Sequence, residues 1–117
     1  KIKDSSQLDN KNIVKVLTKE KLEKNNFVTA LKFTRENLSK KEDNIYHHIG
    51  VYCYKTSTLE KFVNLEQTPN EVENRLEQLR AMDNHIQINV ALANSSPIGI
   101  DTEEDYLALK KIMEYKS

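Results

Sequence analysis

Residues 27–34, FVTALKFT, carry a two-residue period, and that period narrows the fold more than any other feature of the chain. Phe27, Thr29, Leu31 and Phe33 fall on one side of an extended backbone, and Val28, Ala30, Lys32 and Thr34 on the other. Upstream, Ile13, Val14, Val16 and Leu17 form a second short β-rich run ending at Thr18, and the charged stretch KEKLEKNN separates the two. Two such runs joined by a polar connection predict an antiparallel hairpin.

The stretch before the hairpin, residues 1–11, is polar and reads as a loop or flexible lead. After it, RENLSKKEDN reads as a charged loop over residues 35–44, and YHHIGVYCYK reads as a strand. In that strand Ile49, Val51 and Cys53 predict a packed face, while His48, Gly50, Tyr52 and Tyr54 present hydrogen-bonding groups on the other. Helical signals follow. Thr56 or Ser57 can cap a short helix carrying Leu59, Phe62 and Val63. Thr68-Pro69 starts another, because proline's missing N–H costs nothing at the first helical position. Val72, Leu76, Leu79 and Met82 recur as the stripe of a helix lying on a core. Ile86, Ile88, Val90 and Leu92 alternate as a strand, and a turn runs through residues 94–97. Asp101 and Glu104 have capping-box spacing ahead of a last helix with Tyr106, Leu109, Ile112 and Met113. The sum is an α/β chain, a mixed sheet with packed helices.

Composition bounds the function classes. With 117 residues, 38% hydrophobic and 31% charged, the chain suits one domain with one modest core. No apolar run approaches the roughly 18–20 residues of a membrane helix, so no membrane partner and a cytoplasmic location are expected. Residues 1–45 hold eleven Lys or Arg against seven Asp or Glu, and residues 46–117 the reverse, a mild +4 and −4 split. Such a spread, without Trp, does not make a nucleic-acid surface. One cysteine gives no internal disulfide. His47, His48 and Cys53 fit no zinc spacing, and Cys53 on the packed face would be an inert thiol. Two glycines leave no Gly-rich phosphate loop. Together with the start at Lys1, this suggests a fragment, with processing to a mature start as the competing reading.

Several segments, in order, carry a resemblance. NIVKVLT and ALKFTR, then HHIGVYCYK, RLEQLRAM and IGIDTEEDYLALKKIM, resemble the V-K-V-V, A-L-Y-F-S-R, H-I-G-I-Y-x-Y, L-E-Q-L-R and G-V-D-T-x-E-D-L blocks of 3-deoxy-manno-octulosonate (Kdo) cytidylyltransferases, the CMP-Kdo synthetases. The likeness covers most of residues 12–115, and the family's R-x-x-I-P after the second strand is replaced by R-E-N-L-S-K-K. It implies part of a nucleotide-diphospho-sugar transferase-like fold. Residues 12–117 would be the carboxyl-terminal, sugar-side and dimerisation half of an enzyme joining Kdo to CTP with release of pyrophosphate, in lipopolysaccharide biosynthesis.

The resemblance also assigns roles. Asp101 would be a catalytic carboxylate and magnesium ligand; its local alternative is a helix cap. Arg35 would bind the sugar carboxylate through its planar fork, against the alternative of a solvated loop arginine. His48 and Tyr52 would line the sugar pocket, and Glu77 and Gln78 would reach its hydroxyls, although Glu77 and Arg80 could instead form a surface pair. The implied partners are CTP, Kdo and a second copy, as a homodimer. The half alone is expected to be inactive. The alternatives are an assembly fragment without catalysis and a cytidylyltransferase for another acidic sugar such as a sialic acid.

Overall fold

A computed structural model of the chain describes residues 1–38, 43–94 and 99–116. The predicted hairpin forms. β1, Lys15–Thr18, pairs antiparallel with β2, Phe27–Thr34. β3, Ile45–His47, adds antiparallel to the other side of β1, and β4, Asn89–Ala91, adds antiparallel to β2. The order is β3-β1-β2-β4. Five helices accompany the sheet: α1 Ser5–Asp9, α2 Thr56–Val63, α3 Pro69–Asn74, α4 Gln78–Asp83 and α5 Glu103–Lys116. The helix-and-sheet class is the expected one, and the antiparallel direction of the hairpin extends to all three pairs of the described strands.

Alternation in β1 divides the core in two. Val14 and Val16 face one cluster, with Leu22, Val28, Ala30, Phe33, Tyr46, Leu76 and Leu79. Ile13 and Leu17 face the other, with Ile2, Leu8, Leu38 and Ile45. The first cluster is the larger and joins the sheet to α4.

The alternation predicted for β2 does not run unbroken. Leu17 pairs with Lys32 and Thr18 with Ala30, so Leu31 is an extra residue in the ladder, a β-bulge. A bulge resets the side-chain period. Val28 and Ala30 therefore share the core with Phe33, which is 3% exposed, while Leu31 is turned out at 52%.

Five other segments depart from the sequence reading. Residues 1–11, expected as a loop, contain α1, capped by Asp4, whose side chain accepts the Ser6 N–H. Ile2 and Leu8 are buried, and the Ile2 N–H donates to the Ile45 carbonyl at 3.0 Å. Two well-placed apolar residues suffice to dock an otherwise polar end.

The strand expected over residues 46–55 stops at His47. Its partner explains why: the His48 N–H still reaches the Val14 carbonyl, but upstream of Val14 the chain turns, with the Ile13 N–H bonded to Asn10. Beyond His48 an edge strand has nothing to pair with. Val51 and Cys53 are accordingly exposed, so the thiol is not on a packed face.

The single helix expected through Val72, Leu76, Leu79 and Met82 is two helices. α3 has the predicted start: Thr68 and Glu71 form a full capping box, with Pro69 in the first turn. It ends at Arg75, whose φ of 53° is left-handed. Leu76 and Leu79 are buried, whereas Val72 before the break is exposed. α2 begins after Lys55 without a side-chain cap, so neither Thr56 nor Ser57 serves as one.

At α5 the box lies one residue later than predicted. The Asp105 carboxylate accepts the N–H groups of Asp101 and Thr102, and the Asp105 N–H donates to the Thr102 hydroxyl. The turn predicted over residues 94–97 falls mostly outside the described residues. No helix of the described residues is long and apolar enough to cross a membrane.

The bulge makes a sharp prediction. Leu31→Ser leaves the unfolding free energy within about 0.5 kcal/mol of wild type, whereas Phe33→Ala lowers it by about 3–5 kcal/mol. Equal costs in chemical denaturation would mean that the two leucine-side and phenylalanine-side positions share one face after all.

Candidate functional site

From His48 to Tyr54 the chain has left the sheet and is held by its side chains. The buried Phe33 ring meets the His48 ring edge-on, with centroids 5.3 Å apart and planes at 81°. His48 then contacts Tyr52 at 5.5 Å, Tyr52 contacts Tyr54 at 6.2 Å, and Tyr54 contacts Phe62 of α2 at 6.0 Å. These spacings lie within the range of favourable aromatic pairs. At the far end the Arg80 guanidinium of α4 lies over the Phe62 ring, 4.8 Å from its centroid.

Arg80 is fixed by Glu71 of α3. Its Nε donates to Glu71 Oε2 at 2.9 Å and its Nη2 to Oε1 at 2.6 Å, a fork-on-fork pair. The Arg80 bonds hold the Glu71 carboxyl below its ordinary range, and Glu71 in turn raises Arg80. The same carboxylate also receives the Thr68 N–H, so one acidic group serves a helix cap and an ion pair.

The polar centre of this ladder is the His48–Tyr52 pair, where Tyr52 Oη stands 3.0 Å from His48 Nε2. Burial pushes the Tyr52 phenol up to about 12, helped by the nearby Tyr54 and Glu77 charges. Burial also lowers His48, with His47 adding a smaller repulsion. At neutral pH both groups are therefore uncharged. The direction of the hydrogen bond between them follows the imidazole tautomer, since the phenol oxygen can donate or accept.

Near this pair lies Glu77, the residue that precedes α4. Glu77 is exposed and close enough for its charge to raise both Tyr52 and Tyr54. Gln78 is 7% exposed, and its Nε2 is buried without a hydrogen-bond partner among the described residues. An unpaired buried amide costs about 1–3 kcal/mol.

Of the residues singled out by sequence, His48, Tyr52 and Glu77 thus belong to one neighbourhood, and Gln78 follows Glu77 in the chain as a buried residue of α4. Arg35 reaches it indirectly. Its Nε donates to the Asn74 carbonyl at 3.1 Å and its Nη2 to the Arg75 carbonyl at 3.3 Å, clamping the turn from which α4 starts, while Nη1 bonds Lys11. It is neither a free loop arginine nor, in this arrangement, wholly committed: three of the five N–H groups of an arginine are used. Asp101 sits at the exposed start of α5, and the hydrogen bonds of the described residues do not link it to the ladder.

Sequence reasoning missed Tyr54, Phe62, Arg80 and Glu71 as parts of the site. For Glu71 a signal was present, since T-P-N-E has the capping-box spacing that places a glutamate at the third helical position. Arg80 and Glu77 were read as a possible surface pair; Arg80 instead pairs across the helix break with Glu71.

His48 titration tests the electrostatics. Its imidazole should lose its proton at a midpoint below the ordinary 6.5, and His47→Gln should raise that midpoint only part of the way back, because burial is the larger cause. Nuclear magnetic resonance of the ring protons measures both; full recovery on His47→Gln would assign the shift to charge instead.

Comparison with known proteins places the chain. A family model described as a cytidylyltransferase matches residues 1–88. The 3-deoxy-manno-octulosonate cytidylyltransferase of Bartonella henselae is 39% identical over 113 residues, covering 97% of this chain and 46% of that protein. The enzyme of that name from Brucella anthropi is 40% identical over 104 residues, covering 89% and 41%. The chain spans about half the length of the curated relatives it matches. A solved CMP:2-keto-3-deoxy-manno-octonic acid synthetase, complexed with CTP, shares the fold with a TM-score of 0.77 at 23% identity, covering 98% of this chain and 47% of that one. With three quarters of its residues matched by the family model, the chain belongs to the cytidylyltransferase family.

Proposed function

We propose that this chain forms the sugar-side, carboxyl-terminal half of an enzyme that activates 3-deoxy-manno-octulosonate with CTP. In that reaction the anomeric oxygen of the sugar bonds to the α-phosphorus, the bond to the β-phosphate oxygen breaks, and pyrophosphate leaves with its charge. The names of the relatives support the substrate pair, and the half-length coverage supports a part of that enzyme. The observation that carries the reading is the hydrogen-bonded, uncharged His48–Tyr52 pair with the Glu77 carboxylate close enough to act on it.

Each side chain then has a task suited to a hydroxyl-rich acid. Gln78 donates to a sugar oxygen. Glu77 accepts from sugar hydroxyls. His48 offers its Nδ1 edge to a sugar hydroxyl, and the Tyr52 hydrogen bond at Nε2 orients the ring. Arg35 keeps two N–H groups beyond those on the Asn74, Arg75 and Lys11 carbonyls, and its charge suits the sugar carboxylate. Such groups act by positioning, which lowers the barrier by holding the reacting oxygen in line.

Asp101 fits a magnesium ligand on one structural ground. Asp105 and Thr102 supply the cap of α5, so the Asp101 carboxylate is not consumed there, and a hard oxygen donor is what magnesium takes. When bound, the cation neutralises triphosphate charge. A homodimer belongs to the same reading. Apolar side chains on α5, Met113 at 63% and Tyr106 at 52%, are open to cover, which also supports an assembly role for this half.

Gln78→Leu in the complete enzyme separates substrate binding from packing. It should raise the KM for the sugar about tenfold, the worth of one good hydrogen bond, leave the KM for CTP unchanged, and leave the enzyme without substrate as stable as wild type or more so. An unchanged sugar KM overturns the assignment of Gln78. Turnover of a sialic acid in preference to the octulosonate would overturn the choice of sugar.

A further inference from the structure

Lys15 has 0% of its surface exposed, yet it sits in β1 between Ile13 and Leu17, on the face covered by α1. Charged side chains are almost never buried without partners. The partners here are main-chain carbonyls. Lys15 Nζ donates to the Asn10 carbonyl at 2.8 Å and to the Arg35 carbonyl at 2.7 Å. Burial lowers the Lys15 ammonium, while Glu36 and Asp9 act in the opposite sense. An apolar residue would fill this place with a smaller desolvation cost. What the ammonium adds is direction: it ties the end of α1 to the end of β2.

Arg35 carries that tie onward. Its main chain is held by Lys15, and its guanidinium holds the Asn74 and Arg75 carbonyls. Arg75 is left-handed at φ 53°, a conformation that strains a non-glycine residue and persists only where its surroundings impose it. Two residues past this turn come Glu77 and Gln78, then Arg80. A shift of the turn displaces all three, because α3 and α4 are separated there rather than continuous.

We infer that Lys15 is a positioning residue for the sugar site, acting through Arg35 on the left-handed turn that aims Glu77 and Gln78. This rests on the reading of those two residues as sugar contacts. Lys15 touches neither of them. Its contribution is to fix where the clamp begins.

The test uses the complete enzyme carrying this chain, with Lys15→Met, which keeps length and removes the donors, and Lys15→Arg, which keeps a buried cation. Hydrogen exchange read at the amides of residues 76–80 needs no substrate. Lys15→Met should speed exchange there about tenfold while the amides shared by β2 and β4 keep their wild-type rates. The same variant should raise the sugar KM and spare the CTP KM, Lys15→Arg should recover most of the loss, and Lys15→Met should add little in an enzyme already carrying Arg35→Met. Unchanged exchange at residues 76–80, or an increase spread evenly through the sheet, overturns the relay. Faster local exchange with an unchanged sugar KM overturns the positioning role. A wild-type enzyme that does not turn over the octulosonate overturns the proposed function instead, and the exchange result still decides whether Lys15 sets the turn.

Discussion

The pair between Glu71 and Arg80 is the contact on which the site's architecture turns. Glu71 belongs to α3 and closes its cap; Arg80 belongs to α4 and stacks on Phe62 of α2. One carboxylate and one guanidinium thus fix three short helices relative to one another. None of the three is long enough to be stable alone in water. Removing either partner would strand the other charge in a half-buried setting, so the pair specifies the arrangement more than it adds stability. The aromatic ladder follows from it, because Phe62 is where that ladder ends.

The second constraint is the termination of β3. An edge strand exists only as far as its neighbour extends, and β1 gives out when the chain bends toward α1. Had the pairing continued, residues 49–54 would have been locked in a period of two. Instead, ring contacts and one hydrogen bond hold His48, Tyr52 and Tyr54 in a non-periodic segment. The exposure of Val51, 82%, is the counterpart of that freedom.

How much of this could be read from residues alone depends on the range of the interaction. β2 was legible to its end residues because alternation is local, and α3's start was legible because Thr68-Pro69 is a local signal. The bulge at Leu31 was not, since it is defined by what β1 pairs with. Nor was the helix break at Arg75: an arginine carries no left-handed preference, and the carbonyls it presents are held by Arg35, forty residues away in the chain. The same applies to the docking of residues 2 and 8, which depends on Ile45 and Leu38. Among the candidate residues, the His48 and Tyr52 neighbourhood was legible from their spacing and resemblance. Arg35 was legible as important but not for its clamp, which requires knowing where α3 ends.

The charges around the site are arranged by the same economy of burial. His48, Tyr52 and Gln78 are neutral at physiological pH, and none of them carries the desolvation that a buried ion imposes. The ions stand where water or an opposite charge supports them: Glu77 exposed, Arg80 on Glu71, Arg35 half-buried on carbonyls. The buried Gln78 amide, unpaired among the described residues, departs from this pattern as a donor whose desolvation no hydrogen bond offsets.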